Sequence, residues 1–218
     1  MLLGKATKYG GGIVLYGDYY DLESLYNTVH EISKKSPIQG ALNDVMLGFA
    51  YDIRKAYQKE REEKNFGSDE YDKVVYRGER ILWPTFLFQI ALLRWSASFQ
   101  PTNRGQQANL YRIEHCAETA LYEYDPLIAR HCMAWLDSFH GESDDCLALY
   151  IEEVDYNYVC EGKVGKHRFK KLPEALYSLS VFAPSFIDFK KQIDLAMINE
   201  NCRIKDLIDT REWPDFKW

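Results

Sequence analysis

From Trp83 to Phe99 the chain is apolar on nearly every face. A helix of that kind has no side to give to water, so other elements must surround it. Its most apolar run, Ile81 to Leu93, is interrupted by Pro84 and Gln89. It falls short of the roughly 20 residues that cross a bilayer. The segment therefore reads as the centre of a soluble core. Met1-Leu2-Leu3-Gly4-Lys5 lacks the charged region and long apolar run of a signal peptide, so a cytoplasmic protein with no membrane partner is expected.

The elements around that centre follow from periodicity. Leu22, Leu25, Tyr26, Val29 and Ile32 form one helical stripe, with Asp21 as the expected N-terminal cap. Leu42, Val45, Met46, Phe49, Ile53 and Tyr57 form a second. The charged run Lys59 to Lys64 reads as the solvated end of that helix, supported by Lys59/Glu63 and Glu60/Lys64 pairs one turn apart. Asn65 to Asp69 reads as a loop. A helix is predicted over 106–124, then Asp125-Pro126 restarts the chain with a capping carboxylate and a proline at the first helical position. So short a connection predicts an antiparallel helix pair up to about Phe139. Helices are also predicted over 173–182 and 184–197, the latter with Phe186, Phe189, Ile193 and Met197 inward, and a further turn over 203–209.

The β-content is small. Leu2 to Tyr9, the turn Gly10-Gly11-Gly12 and the run Ile13 to Tyr16 predict a hairpin. Lys73 to Arg77 reads as a third strand placed to join it. Asp144 to Glu161 satisfies two patterns: Leu147, Tyr150, Ile151 and Val154 suit a helix, whereas Val154, Tyr156, Tyr158 and Cys160 alternate like a strand, and Glu161-Gly162 reads as a turn. The fold class is α+β, mainly α: a helical core domain with a small N-terminal antiparallel sheet. A single domain over 1–218 is expected, with the hairpin and first helices in 1–80, the helical core in 81–200 and a short tail in 201–218.

Several functional classes lack support. The net charge of −6 disfavours nonspecific nucleic-acid binding, which depends on cations that neutralise phosphates. The three glycines at 10–12 are followed by a strand, whereas a phosphate loop needs a helix N-terminus there. No Gly-x-Ser-x-Gly, His-Glu-x-x-His or Glu-x-x-His motif occurs, and no cofactor is expected. The five cysteines, odd in number and widely spaced, read as buried free thiols rather than a disulfide framework.

Three groups of residues remain as candidates. His115-Cys116 and His131-Cys132 flank the Asp125-Pro126 turn and would lie opposite one another, so two imidazoles and two thiolates present a zinc-binding donor set. Adjacent helical residues point about 100° apart, however, which makes it hard for all four to converge. Arg94 lies within the apolar helix and needs a partner such as Glu114 or Glu118. With His115 or Glu118 as base, it would form a small acid–base or anion pocket. Lys163, Lys166, His167, Arg168, Lys170 and Lys171 form a basic patch with Phe169 interleaved, the composition of a single-strand binder or of a docking surface for an acidic partner. The residues favour a noncatalytic interaction or regulatory protein, whose 16 Tyr and 5 Trp supply contacts to a partner protein or a second copy. A small enzyme or ligand-binding protein built on Arg94, His115 and Glu118 is the alternative, and nucleic-acid binding through 163–171 stands third.

Overall fold

The computed structural model describes residues 1–66, 73–141, 144–160, 163–207 and 212–218. Its centre is α3 (Trp83–Ala97), which touches six neighbouring helices and two strands. Trp83, Phe86, Phe88, Ile90 and Leu92 are all fully buried. Two polar side chains of α3 find partners inside: the Gln89 amide nitrogen donates to the Val45 carbonyl at 3.2 Å, and Ser96 lies 2.9 Å from the Ser36 hydroxyl.

The sheet lies at the N-terminal end of this core. Strands β1 (Leu3–Ala6) and β2 (Gly12–Gly17) form the expected hairpin, with Leu3 opposite Tyr16 and Ala6 opposite Ile13. Gly10 makes the turn with φ +71°, a conformation that costs glycine little. The third strand is longer than expected and central: β4 (Val74–Leu82) pairs with β2. A fourth strand, β3 (Glu62–Phe66), completes the antiparallel order β1-β2-β4-β3.

That fourth strand corrects the reading of residues 59–64 as a helix end. Helix α2 (Ala41–Tyr57) stops before them, and Lys59 turns the chain with φ +68°. Glu62 then meets Arg80 at 2.9 Å and Glu63 meets Arg77 at 3.2 Å, both on β4. The Tyr16 hydroxyl donates to Glu62, and the Phe66 ring lies 5.6 Å from Tyr16 and 5.0 Å from Tyr76. Cross-strand pairs of this kind contribute about 0.2–1 kcal/mol each. The one-turn helical pairs offer only about 0.2–0.5 kcal/mol, so packing against β4 decides the outcome.

Helix α1 (Tyr19–Lys34) carries the predicted stripe, with Leu22, Leu25, Val29 and Ile32 buried. Its cap is Asp18 rather than Asp21: the Asp18 carboxylate accepts from the Asp21 backbone N–H at 2.8 Å. Helix α4 (Arg104–Tyr124) opens with a reciprocal box in which Asn103 and Gln106 cap each other's backbone. Helix α5 (Pro126–Ser138) starts as expected, with the Asp125 carboxylate accepting from Leu127 and Ile128.

The ambiguous segment is helical: α6 (Cys146–Cys160) buries Leu147, Tyr150, Ile151, Val154 and Tyr158. Of the other members of the alternating pattern, Tyr156 is partly exposed and Cys160 exposed. Short helices α7 (Lys166–Phe169) and α8 (Leu172–Ser178) follow, then α9 (Pro184–Glu200), which buries only Phe186 completely. Ile204–Asp206 forms a single tight turn. The expected loop residues 67–69, the turn at 161–162 and the end of the turn predicted over 203–209 lie outside the described residues. Among the described residues no helix is long and apolar enough to cross a membrane.

The basic segment 163–171 is organised around the interior. Arg168 is 2% exposed and Phe169 fully buried. The Arg168 guanidinium donates to the carbonyls of Lys217 (2.7 Å), Val159 (3.1 Å) and Tyr9 (3.4 Å). Tyr9 in turn donates its N–H to the Trp218 carbonyl at 2.9 Å. Arg168 thus clamps the C-terminal tail onto the hairpin turn. One cation and the interleaved aromatic of the supposed patch are thereby withdrawn from the surface.

Candidate functional site

A groove of about 690 Å³ runs between β1 and α4. Residues 1–6 form one wall, and Tyr111, Arg112, His115, Cys116, Thr119, Glu123 and Tyr124 form the other. The helical set recurs at intervals of three and four, so one face of α4 lies along the strand. Both elements run the same way: Cys116 abuts Gly4, and the Tyr124 hydroxyl donates to the Lys8 carbonyl at 3.3 Å. Gly4 permits this approach, because a Cβ there would lie 2.5 Å from the Cys116 carbonyl oxygen.

The strand wall is a sheet edge, since among the described residues β1 pairs with β2 alone. Thr7 donates to the Gly12 carbonyl at 2.8 Å, which fixes the phase of the ladder. In antiparallel pairs, hydrogen-bonded and non-hydrogen-bonded positions alternate. Lys5 and Leu3 therefore exchange bonds with Val14 and Tyr16. The N–H and C=O of Gly4 and Ala6 point the other way, to the free edge beside the groove.

The groove is mostly apolar within and charged at its rim. Lys5, His115 and Tyr111 are exposed, Tyr111 to 70%. Arg112 approaches Asp21 at 3.8 Å and keeps about half of its side chain in solvent. Glu123 supplies one opposing charge. Burial pushes the Cys116 thiol up to about 12, with Asp21 adding to the effect. The neutral thiol is a small apolar group here, not a nucleophile.

The candidates named from sequence are distributed as follows. Arg94 lies 3.3 Å from Glu114 and 3.1 Å from Asp137, joining α3 to α4 and α5. Burial raises the Glu114 pKa against the pull of Arg94. Glu118 is exposed on α4, and the groove takes in His115 but neither Arg94 nor Glu118. Of the two doublets, Cys116 and Cys132 are buried while His115 and His131 are exposed. This is the outcome of the 100° step between neighbouring helical residues. Among the described residues no group of three or more His, Cys, Asp or Glu is placed to hold a metal ion.

Sequence reasoning missed the groove. Its signals were present: a glycine inside a strand, which marks close backbone approach, and the spacing of Arg112, Cys116, Thr119 and Glu123 along α4. Neither reveals that the two elements meet.

No curated protein and no solved structure matches the chain. A family described as "Domain of unknown function (DUF6904)" matches residues 2–218. With that match spanning nearly its whole length, the chain belongs to the DUF6904 family.

Proposed function

We propose that this chain is a cytoplasmic, noncatalytic interaction protein, acting as one domain, that receives a partner in the groove between β1 and α4. The observation that carries this reading is an apolar groove bounded on one side by a free sheet edge and rimmed by tyrosine and cationic side chains. Tyr and Arg at an exposed rim are the residue types that dominate protein interfaces. The chemistry lining the groove suits recognition: Cys116 is held as a neutral thiol and His115 faces solvent. Arg94, engaged by Glu114 and Asp137, speaks against the alternative of an acid–base pocket at Arg94, His115 and Glu118.

The test is a selection of random displayed peptides against the intact protein, repeated with Thr119→Trp, which fills the groove from α4. Enriched peptides should lose binding to Thr119→Trp while its thermal unfolding stays within a few degrees of the parent. Selections that enrich nothing, or peptides that bind both proteins equally, would count against the reading.

A further inference from the structure

We infer that the groove accepts an extended acidic peptide, which adds to β1 as a fifth strand with α4 beneath it; this rests on the proposed role of the groove. Three observations support it. First, Gly4 and Ala6 present outward N–H and C=O groups two residues apart on an open edge. Two residues of strand span about 7 Å, and a repeat of donors and acceptors at that interval is matched by another extended backbone.

Second, α4 runs alongside the strand: residues 1–6, of which Leu3–Ala6 are β1, and residues 111–124 of α4 both line the groove. Four residues of strand extend roughly 13 Å, and thirteen steps of helix rise about 20 Å. A strand added to β1 would therefore have helix beneath it along its full course. Its alternate side chains would face α4, where Thr119 and Cys116 leave room for small apolar groups. The intervening ones would stand beside Lys5.

Third, the rim has a sign. Lys5 and Arg112 line the groove with one carboxylate, Glu123, although the chain as a whole carries −6; the Lys5 ammonium lies over the Phe66 ring, 5.3 Å from its centroid, and Arg112 approaches Asp21 at 3.8 Å. A lysine in the middle of an edge strand deters pairing with neutral or basic strands. An acidic side chain placed beside it turns the same group into an attraction. The edge is thus closed to indiscriminate pairing and open to a peptide of complementary charge.

The experiment uses the full chain and four blocked eight-residue probes: alternating valine–glutamate, alternating valine–lysine, and valine–glutamate methylated on alternate backbone nitrogens in each of the two phases. The valine–glutamate peptide should slow hydrogen exchange at the Gly4 and Ala6 amides. It should bind at least tenfold tighter than the valine–lysine peptide, and Lys5→Glu should narrow that preference. One methylation phase, and only one, should abolish binding. Ala6→Pro removes an outward donor without touching the ladder to β2, and should weaken binding tenfold or more. Methylation uses the unaltered protein, so it remains decisive where Ala6→Pro fails to fold. Binding unaffected by either methylation phase overturns strand addition; if Thr119→Trp still blocks that binding, the groove keeps its proposed role. Absence of binding by every probe also overturns strand addition, whereas peptides selected at random and blocked by Thr119→Trp would leave the groove's role standing.

Discussion

Asp155 on α6 caps the first turn of α3. Its carboxylate accepts from the Thr85 backbone N–H at 3.3 Å and from the Thr85 hydroxyl. Leu82, the residue at the cap position itself, offers no side-chain acceptor. The free N–H groups at the start of the central helix are therefore served from another part of the chain. Asp155 is 6% exposed, and burial pushes its carboxyl up to about 7 despite both bonds from Thr85.

That position makes stability depend on pH. An acid whose pKa is raised by folding holds its proton more tightly in the folded state. Its stabilising effect is complete below the ordinary aspartate value and is lost as pH rises through about 7. Glu79, buried beside Arg61 and also pushed up to about 7, acts in the same direction. His30, whose pKa burial lowers, acts in the opposite one. The informative quantity is therefore the difference between parent and Asp155→Asn in urea titrations from pH 5 to 8. Asp155→Asn should flatten the decline and gain on the parent toward pH 8, by on the order of a few kcal/mol. Parallel pH profiles for the two proteins would show that Asp155 does not titrate in this range.

Arg168→Met should release the tail. The guanidinium holds three carbonyls from separate parts of the chain. Hydrogen bonds from a charged donor are worth about 1.5–3 kcal/mol each, and the buried carbonyls would lose their partner. We expect a loss of about 2–4 kcal/mol in denaturant unfolding and faster chymotryptic cleavage at Trp213 and Phe216. Arg168→Lys should recover only part, since an ammonium lacks the planar fork that reaches several acceptors. A tail equally protected in Arg168→Met would show that Phe216 and Trp218 hold it without the clamp.

Gly4→Ala should separate β1 from α4. The new Cβ would lie 2.5 Å from the Cys116 carbonyl oxygen and 2.9 Å from its Cβ. Backbone cannot swing aside as a side-chain tip can, so we expect a loss of about 1–3 kcal/mol. Amide exchange should rise at residues 3–6, and the groove should lose its peptide affinity. Unchanged stability would mean that α4 moves away from the strand at little cost.

Thiol reactivity should divide the cysteines. Burial pushes Cys116 and Cys132 up to about 12 and Cys146 up to about 11, so their thiolate fraction near pH 8 is negligible. Cys160 is exposed and Cys202 partly so. With an aromatic disulfide reagent, the native protein should show two fast thiols and the protein in guanidinium all five. Rapid reaction of Cys116 would show that the groove floor opens to solvent.

The amino-acid sequence by itself determined the helices and the centre. Leu22 to Ile32 and Leu42 to Ile53 announce their buried faces through spacing alone, because a 3.6-residue period is a local property. Asp125-Pro126 marks a helix start within two residues, and the nearly continuous apolarity from Trp83 to Leu93 could be satisfied only by burial on all sides, whereas the end of the run at Ser98 and Phe99 lies in solvent. What tertiary structure decided were relations between distant residues: Glu62 with Arg80, Thr85 with Asp155, Tyr9 with Arg168, Gly4 with Cys116. Residues 59–64 carry charges that suit a helix or an edge strand about equally well, and the arginines of β4 settled the choice. Local pattern fixes which face of an element is buried. Which element covers it is decided by packing energies of the same size as local preferences, so the groove between β1 and α4 exists only once the chain has folded.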